Sequence, residues 1–293
     1  MRILVTNDDG VHAPGLFAIT SALAAWARAA SDEAREVVVV APLANHSGAA
    51  AAVGTVYERE GIAYRAVRLD GLDDVVIYGL DASPALSTIV GIRGAFGPPP
   101  DLVVSGINHG VNVGRSVLHS GTVGAVLTGA QLGVSGLAVS LRTGQEPLHW
   151  ETAAAVAVGL LPALAEAPAR TVLNLNVPSV PLAELRGIRR GRVGPAGIIR
   201  SASADPIGAA STAERSGGDE VGEVHLRLGS AVPALGDVTD EEPEDDASVV
   251  AAGFASVTPL LGIREDTGTA VDELLRSALA DLPGVLGLPG PSV

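Results

Sequence analysis

An α/β fold with a mainly parallel, three-layer sheet is predicted by three features of this chain. Short runs rich in Val, Ile and Leu recur through its first 180 residues. Stretches with apolar residues at helical spacing separate several of them, and three of the runs lead into loops made largely of Asn, Asp, Ser, Gly and His. Strands alternating with helices imply βαβ units, and continuous Val-rich runs suit strands buried on both faces.

Taken in order, strand-like runs fall at Ile3–Val5, Val37–Val40, Ala66–Leu69, Val75–Tyr78, Leu102–Val104, Leu137–Val139 and Val172–Leu175. Leu16, Ile19, Leu23 and Trp26 recur at helical spacing after the first run, and Val156, Leu160 and Leu164 do so before the last. From about Arg190 the character changes. Gly191 to Gly222 is rich in Gly, Ala, Ser and charge and lacks aromatics, and Glu223–Leu228 reads as one strand of a hairpin. Asp237–Asp246 holds seven acidic residues and one Pro and reads as a solvated loop. Phe254–Thr258 reads as a final strand, followed by a helix around Val271–Leu279 and a loose Gly/Pro-rich tail, Leu282–Val293. The expected organisation is a core over 1–190 carrying the site, an excursion with a returning strand over 191–262, and a C-terminal helix and tail over 263–293. There is no internal repeat.

Composition narrows the chemistry. A chain of 293 residues is ample for a sizeable core, and with 47% hydrophobic but only 3% aromatic residues that core must be built from Ala, Val, Leu and Ile. The formal charge is −14, and all 19 basic residues are Arg. Without Lys there is no Walker lysine, Schiff-base lysine or lysine general base. Strong acidity with scattered Arg argues against nucleic-acid binding. Cysteine is absent, which excludes disulfides, thiolate zinc sites and a cysteine nucleophile. The first residues read directly as a strand rather than a signal segment, and every apolar stretch is interrupted before it could span a membrane, so a cytoplasmic protein is expected.

The loops carry the chemistry. Asn7-Asp8-Asp9-Gly10 puts two adjacent carboxylates at the end of the first strand, where they repel unless a cation lies between them. Hard oxygen ligands on a stiff element suit Mg²⁺ or Mn²⁺ better than Zn²⁺. The alternative is an Asp-Gly turn whose carboxylates cap the following helix. Three further loops are unusual: Asn45-His46-Ser47-Gly48, Ser105-Gly-Ile-Asn108-His-Gly-Val-Asn112-Val-Gly114, and Ser120-Gly121-Thr122-Val-Gly124, which opens a helix-like stretch to about Leu132. In an open α/β sheet such loops share the carboxyl edge. Asp8, Asp9, Ser47 and Asn108 would then form an all-oxygen metal shell with room for water. Ser120-Gly121-Thr122 at a helix start offers N–H groups, hydroxyls and a positive dipole end, either as an ordinary cap or as a phosphate site.

These motifs, with Leu175-Asn-Val-Pro178, Leu185-x-Gly-Ile188 and Ser256-Val-Thr-Pro-Leu260, resemble those of the SurE survival-protein family over roughly residues 1–262. The resemblance implies a Rossmann-like core with a projecting β-hairpin and a C-terminal extension, assembled as a homodimer or homotetramer. It implies a phosphohydrolase acting on nucleoside 5′- or 3′-monophosphates with one Mg²⁺ or Mn²⁺ per subunit. By position, the family's metal ligands fall on Asp8, Asp9, Ser47 and Asn108, and its phosphate-binding groups on Asn112, Ser120, Gly121 and Thr122. The chain departs from the family pattern at Arg115, Ser116 and His119, where two acids and an aromatic are usual, at Leu86, where an acid is usual, and at Thr128, where a Glu is usual. The region after Gly191 lacks the family's usual aromatics.

The expected function is therefore a metal-dependent phosphomonoesterase with Asp8 and Asp9 as catalytic carboxylates and a small phosphate ester as substrate. Two rivals are a phosphatase on a non-nucleotide ester and a silent nucleotide- or metal-binding regulator. The sequence argues against a nicotinamide-binding Rossmann protein, since Asn-Asp-Asp-Gly stands where a Gly-rich pyrophosphate loop would follow the first strand and its carboxylates would repel the phosphates. His12, His46, His109 and His119 lie in the loops as polar residues, with His119 the best placed for catalysis because it precedes the phosphate turn.

Overall fold

The first strand, β1 (Arg2–Thr6), is buried along its whole length. Ile3 and Val5 join one apolar cluster and Leu4 the other, as the two-residue period of a strand requires. In β2 (Glu36–Pro42), Val37 and Val39 divide from Val38 and Val40 in the same way. A strand covered on both faces needs apolar side chains at every position, so these runs show no polar alternation. Helices α1 (Pro14–Arg28) and α4 (Trp150–Glu166) bring Leu16, Ile19, Leu23, Leu161 and Leu164 to the first cluster. Helices α2 (Pro84–Ile92) and α3 (Gly121–Gln131) bring Leu86, Ile92, Val123 and Val126 to the second. The layers are therefore helix, sheet, helix.

The computed structural model describes residues 1–30, 34–54, 61–144, 146–195, 201–206, 224–229, 233–237 and 243–263. The remaining strands are β3 (Tyr64–Val67), β4 (Val76–Leu80), β5 (Leu102–His109), β6 (Ser135–Leu141), β7 (Val172–Val177), β8 (Ile188–Arg190), β9 (Ser201–Pro206), β10 (Val224–Gly229) and β11 (Ala255–Leu260). Nine form one sheet in the order β3-β4-β2-β1-β5-β6-β7-β11-β8. From β4 to β7 all neighbours are parallel, whereas β3 and β11 join antiparallel at the two sides. The direction of winding reverses between β1 and β5, and in such a sheet the crevice beyond the carboxyl ends opens there. The chain divides into two compact units, Met1–Leu260 and Leu261–Val293, and of the second the structure describes residues 261–263. Among the described residues no helix is long and apolar enough to cross a membrane.

The Rossmann-like, mainly parallel sheet agrees with the fold class read from the sequence, and several elements refine it. The run at Ala66–Leu69 is shifted toward the N-terminus, because Tyr64 stacks edge-on against Tyr78 and Phe96 and draws β3 onto β4. β5 continues well past Val104, with a register break against β6 between Ser105 and Asn108. Glu223–Leu228 matches β10, which pairs antiparallel with β9 in a two-stranded sheet of its own. The sequence pattern does not reveal α2, β8, β9 or α5 (Asp246–Ala251), all of them short. The acidic run is not wholly a solvated loop: Asp245 caps α5 and Asp246 is fully buried. The helix expected around Val271–Leu279 and the tail lie outside the described residues.

Candidate functional site

β1 delivers Asn7, Asp8 and Asp9 to the carboxyl edge of the sheet. Asn7 Nδ2 donates to the Gly10 carbonyl at 2.9 Å and closes the turn. Gly10 has φ 104°, and a Cβ there would lie 3.3 Å from the Ala44 carbonyl carbon, so this turn and the loop after β2 meet only through a glycine. His46 N–H donates to the Asp8 carbonyl at 2.7 Å. Ser47 N–H donates to Asn45 Oδ1 at 2.8 Å, a local turn that leaves Ser47 exposed at the rim.

Asp8 is 3% exposed. Its Oδ1 accepts from Thr122 Oγ1 at 2.6 Å and its Oδ2 from Thr122 N–H at 3.1 Å. Thr122 stands in the first turn of α3, where unpaired N–H groups and the helix dipole favour an anion. Residue 121 has to be glycine for this approach, since a Cβ there would lie 2.8 Å from Asp8 Cβ. Burial pushes the Asp8 carboxyl above its ordinary value, the Thr122 hydrogen bonds pull it back, and the charge of Asp9 adds to the upward push. Asp9 Oδ2 accepts from His109 N–H at 3.1 Å, joining the ends of β1 and β5 across the switch point. Asn108 Nδ2 donates to the Gly110 carbonyl at 2.7 Å, which turns the amide so that Oδ1 is its free ligand atom.

The opposite wall begins at Asn112. Its N–H donates to Asn176 Oδ1 at 2.7 Å, its carbonyl accepts from Asn174 Nδ2 at 2.8 Å and Asn176 Nδ2 at 3.0 Å, and its Nδ2 donates to Ser140 Oγ at 2.9 Å. Ser120 caps α3, its Oγ accepting from Val123 N–H at 3.1 Å. With Thr122 N–H on Asp8 and Gly124 N–H on the Ser120 carbonyl, Gly121 N–H is the first-turn amide left without a partner among the described residues.

A cavity of about 250 Å³ gathers Asp8, Ser47, Asn108, Asn112 and Ser120 into one lining. Asp9 stands beside it, while Gly121 and Thr122 back onto Asp8 and do not border it. His109, Ser116 and His119 line the cavity; exposed Arg115, like His12 and His46, does not. Leu86 is buried in the second apolar cluster, and Thr128 Oγ1 donates to the Gly124 carbonyl within α3. A larger cavity, about 640 Å³, lies at the amino edge beside Met1, Trp26 and Leu102 and holds none of the candidate site residues. Sequence reading missed the supports Ser140, Asn174, Asn176 and Asp246. Asn174-Leu-Asn176 carries a signal, two amides on one face of an otherwise apolar strand; Asp246 carries none, being one acid in an acidic run.

Fold and site together define an α/β protein of the Rossmann-like class whose carboxyl-edge crevice brings paired carboxylates to the start of a helix. The model of the family described as survival protein SurE matches residues 3–198. The chain belongs to the SurE survival-protein family. It is 39% identical over 262 residues to the 5′/3′-nucleotidase SurE of Cronobacter sakazakii, an alignment covering 89% of this chain and 90% of that protein. The corresponding protein of Salmonella typhimurium is also 39% identical over 262 residues, with the same coverage. The crystal structure of the SurE protein from Aquifex aeolicus superposes with a TM-score of 0.70 at 26% identity, covering 96% of this chain and 99% of that one.

Proposed function

We propose that this protein is a divalent-metal-dependent phosphomonoesterase that hydrolyses nucleoside 5′- or 3′-monophosphates to nucleoside and phosphate. The observation that carries the reading is the meeting of Asp8, Ser47, Asn108, Asn112 and Ser120 in one small cavity. Support comes from relatives named 5′/3′-nucleotidases that align along most of the chain.

The residues present fit a hard cation. Asp8, Asp9, Ser47 and Asn108 offer two carboxylates, a hydroxyl and an amide oxygen whose NH₂ is already engaged. The donor set is oxygen-based and half neutral, as Mg²⁺ or Mn²⁺ favours. Bound there, such an ion would polarise the phosphoryl group and lower the pKa of a water. Thr122 holds Asp8 in one orientation. Ser120 Oγ accepts from Val123 N–H and keeps its own proton for a phosphoryl oxygen, beside the Asn112 amide on the same cavity wall. Donors fixed before the substrate arrives stabilise charge that develops in the transition state.

A second reading, a phosphatase on a non-nucleotide ester, is favoured by Ser116 and His119, which line the cavity where the resemblance places acids and an aromatic. One assay addresses both readings. Protein stripped by chelation is given Mg²⁺ or Mn²⁺ with a panel of nucleoside monophosphates and sugar phosphates. Phosphate release should return with metal and be greatest for a nucleotide, and Asp9→Asn should lower it about a hundredfold. Greatest turnover on a sugar phosphate selects the second reading. No metal-restored release from any ester would leave a silent binding protein.

A further inference from the structure

We infer that Asp246, remote in sequence from every motif of the site, is a positioning residue that fixes the substrate wall by holding Gly114. The inference rests on the phosphatase reading above for its functional meaning. Asp246 is fully buried at the start of α5. Its Oδ2 accepts from Gly114 N–H at 2.8 Å, and its Oδ1 accepts from Gly194 N–H at 3.2 Å and from Ala247 N–H at 3.0 Å. A buried carboxylate is tolerated when its lone pairs meet several donors, and two of these three donors belong to segments outside its own helix.

Gly114 opens the tight turn Gly114–His119, which contributes Ser116 and His119 to the cavity. Among the described residues, side chains fasten the wall from Asn112 to Thr122 at three places: Asn112 by Asn174 and Asn176, Gly114 by Asp246, and Ser120–Thr122 by the cap of α3 and by Asp8. Only the middle fastening comes from beyond β7. The simpler account, that Asp246 merely starts α5, is answered by its neighbour. Asp245 already caps this helix, its Oδ1 accepting from Ser248 N–H at 2.9 Å and its Oδ2 from Ser248 Oγ at 2.7 Å. Asp246 is therefore free to serve the wall.

The pair Asp246→Ala and Asp245→Ala separates the two accounts, because both weaken the start of α5 and only the first releases Gly114. Hydrogen exchange should be about tenfold faster across residues 112–120 in Asp246→Ala than in Asp245→Ala. In the full-length protein with Mn²⁺, Asp246→Ala should also raise KM for the best nucleotide about tenfold at a temperature where it is folded, with the Mn²⁺ concentration for half-activation unchanged. Asp245→Ala should lower Tm and leave KM as in wild type. Asp246→Asn keeps one acceptor and should fall between wild type and Asp246→Ala; it carries the comparison if the alanine variant does not fold. Equal exchange over 112–120 in the Asp245 and Asp246 variants, with KM unmoved, overturns the inference. If wild type hydrolyses nothing, the phosphatase reading fails while the exchange comparison still decides the role of Asp246.

Discussion

Thr122 Oγ1 donates to Asp8 at 2.6 Å inside a site nearly closed to solvent, so this bond is worth more than its surface equivalent. Thr122→Val is almost isosteric and removes only the hydroxyl. It leaves one buried oxygen of Asp8 without that donor, at a cost of about 1–3 kcal/mol. Since the loss falls on the orientation of Asp8 and not on a phosphate contact, kcat should drop more than KM rises in steady-state assays. An unchanged kcat in a folded variant would show that Asp8 needs no such support. Gly121→Ala tests the same contact from the backbone. Its methyl would enter the space of Asp8 Cβ, 2.8 Å away, with two elements unable to part cheaply. A loss of about 1–3 kcal/mol in stability is expected by denaturant titration, together with a large loss of turnover. Wild-type stability in this variant would contradict the close packing.

At the scale of elements, the site is made where strands end and helices begin. β5 turns at Gly106, whose φ of 135° suits glycine and whose Cβ would lie 2.2 Å from the Val139 carbonyl oxygen. That bend lets Asn108 and His109 rejoin β6 and reach the cavity. β7 supplies the other support, because Asn174 and Asn176 face Asn112 while Leu175 between them packs into the core. Asn176→Ala strips Asn112 of the acceptor for its N–H and of one of the two amides on its carbonyl. Stability should fall by about 1–3 kcal/mol. KM for the phosphate ester should rise while Mn²⁺ activation stays as it was, because the proposed metal ligands sit on β1, β5 and the loop after β2. A matching loss of Mn²⁺ affinity would show that the two halves of the site are not separable.

Over the whole molecule, Asp8 and Asp246 are the carboxylates buried among the described residues, and burial makes them sensitive points for pH. Burial holds the Asp246 carboxyl above its ordinary value against the pull of its three N–H partners. A folded value above the unfolded one, about 3.9, means that folding favours the protonated form. Its contribution to stability is therefore fullest below that pH and declines as pH rises from there through the raised folded value. Asp246→Asn cannot titrate, so the stability of wild type relative to this variant should decline from about pH 4 upward and then level off. Denaturant titrations at a series of pH values measure this, and a difference independent of pH would sink it. Much of the molecule was legible without coordinates. The Val-rich runs and the spacing of Leu16, Ile19 and Leu23 announced the parallel core, because a strand buried on both faces and a helix buried on one leave local, periodic signatures. The loop motifs named Asp8, Ser47, Asn108, Asn112 and Ser120, because strand order alone brings carboxyl-end loops to one edge. What tertiary structure decided is which partner each group takes. Thr122, a plausible phosphate ligand by its place in a helix start, turns to Asp8; Asp246, one acid among seven, leaves solvent to hold Gly114. Periodicity is set within a few neighbouring residues, whereas a buried polar group is satisfied by whatever donor the fold brings near, here 114 and 132 residues away along the chain.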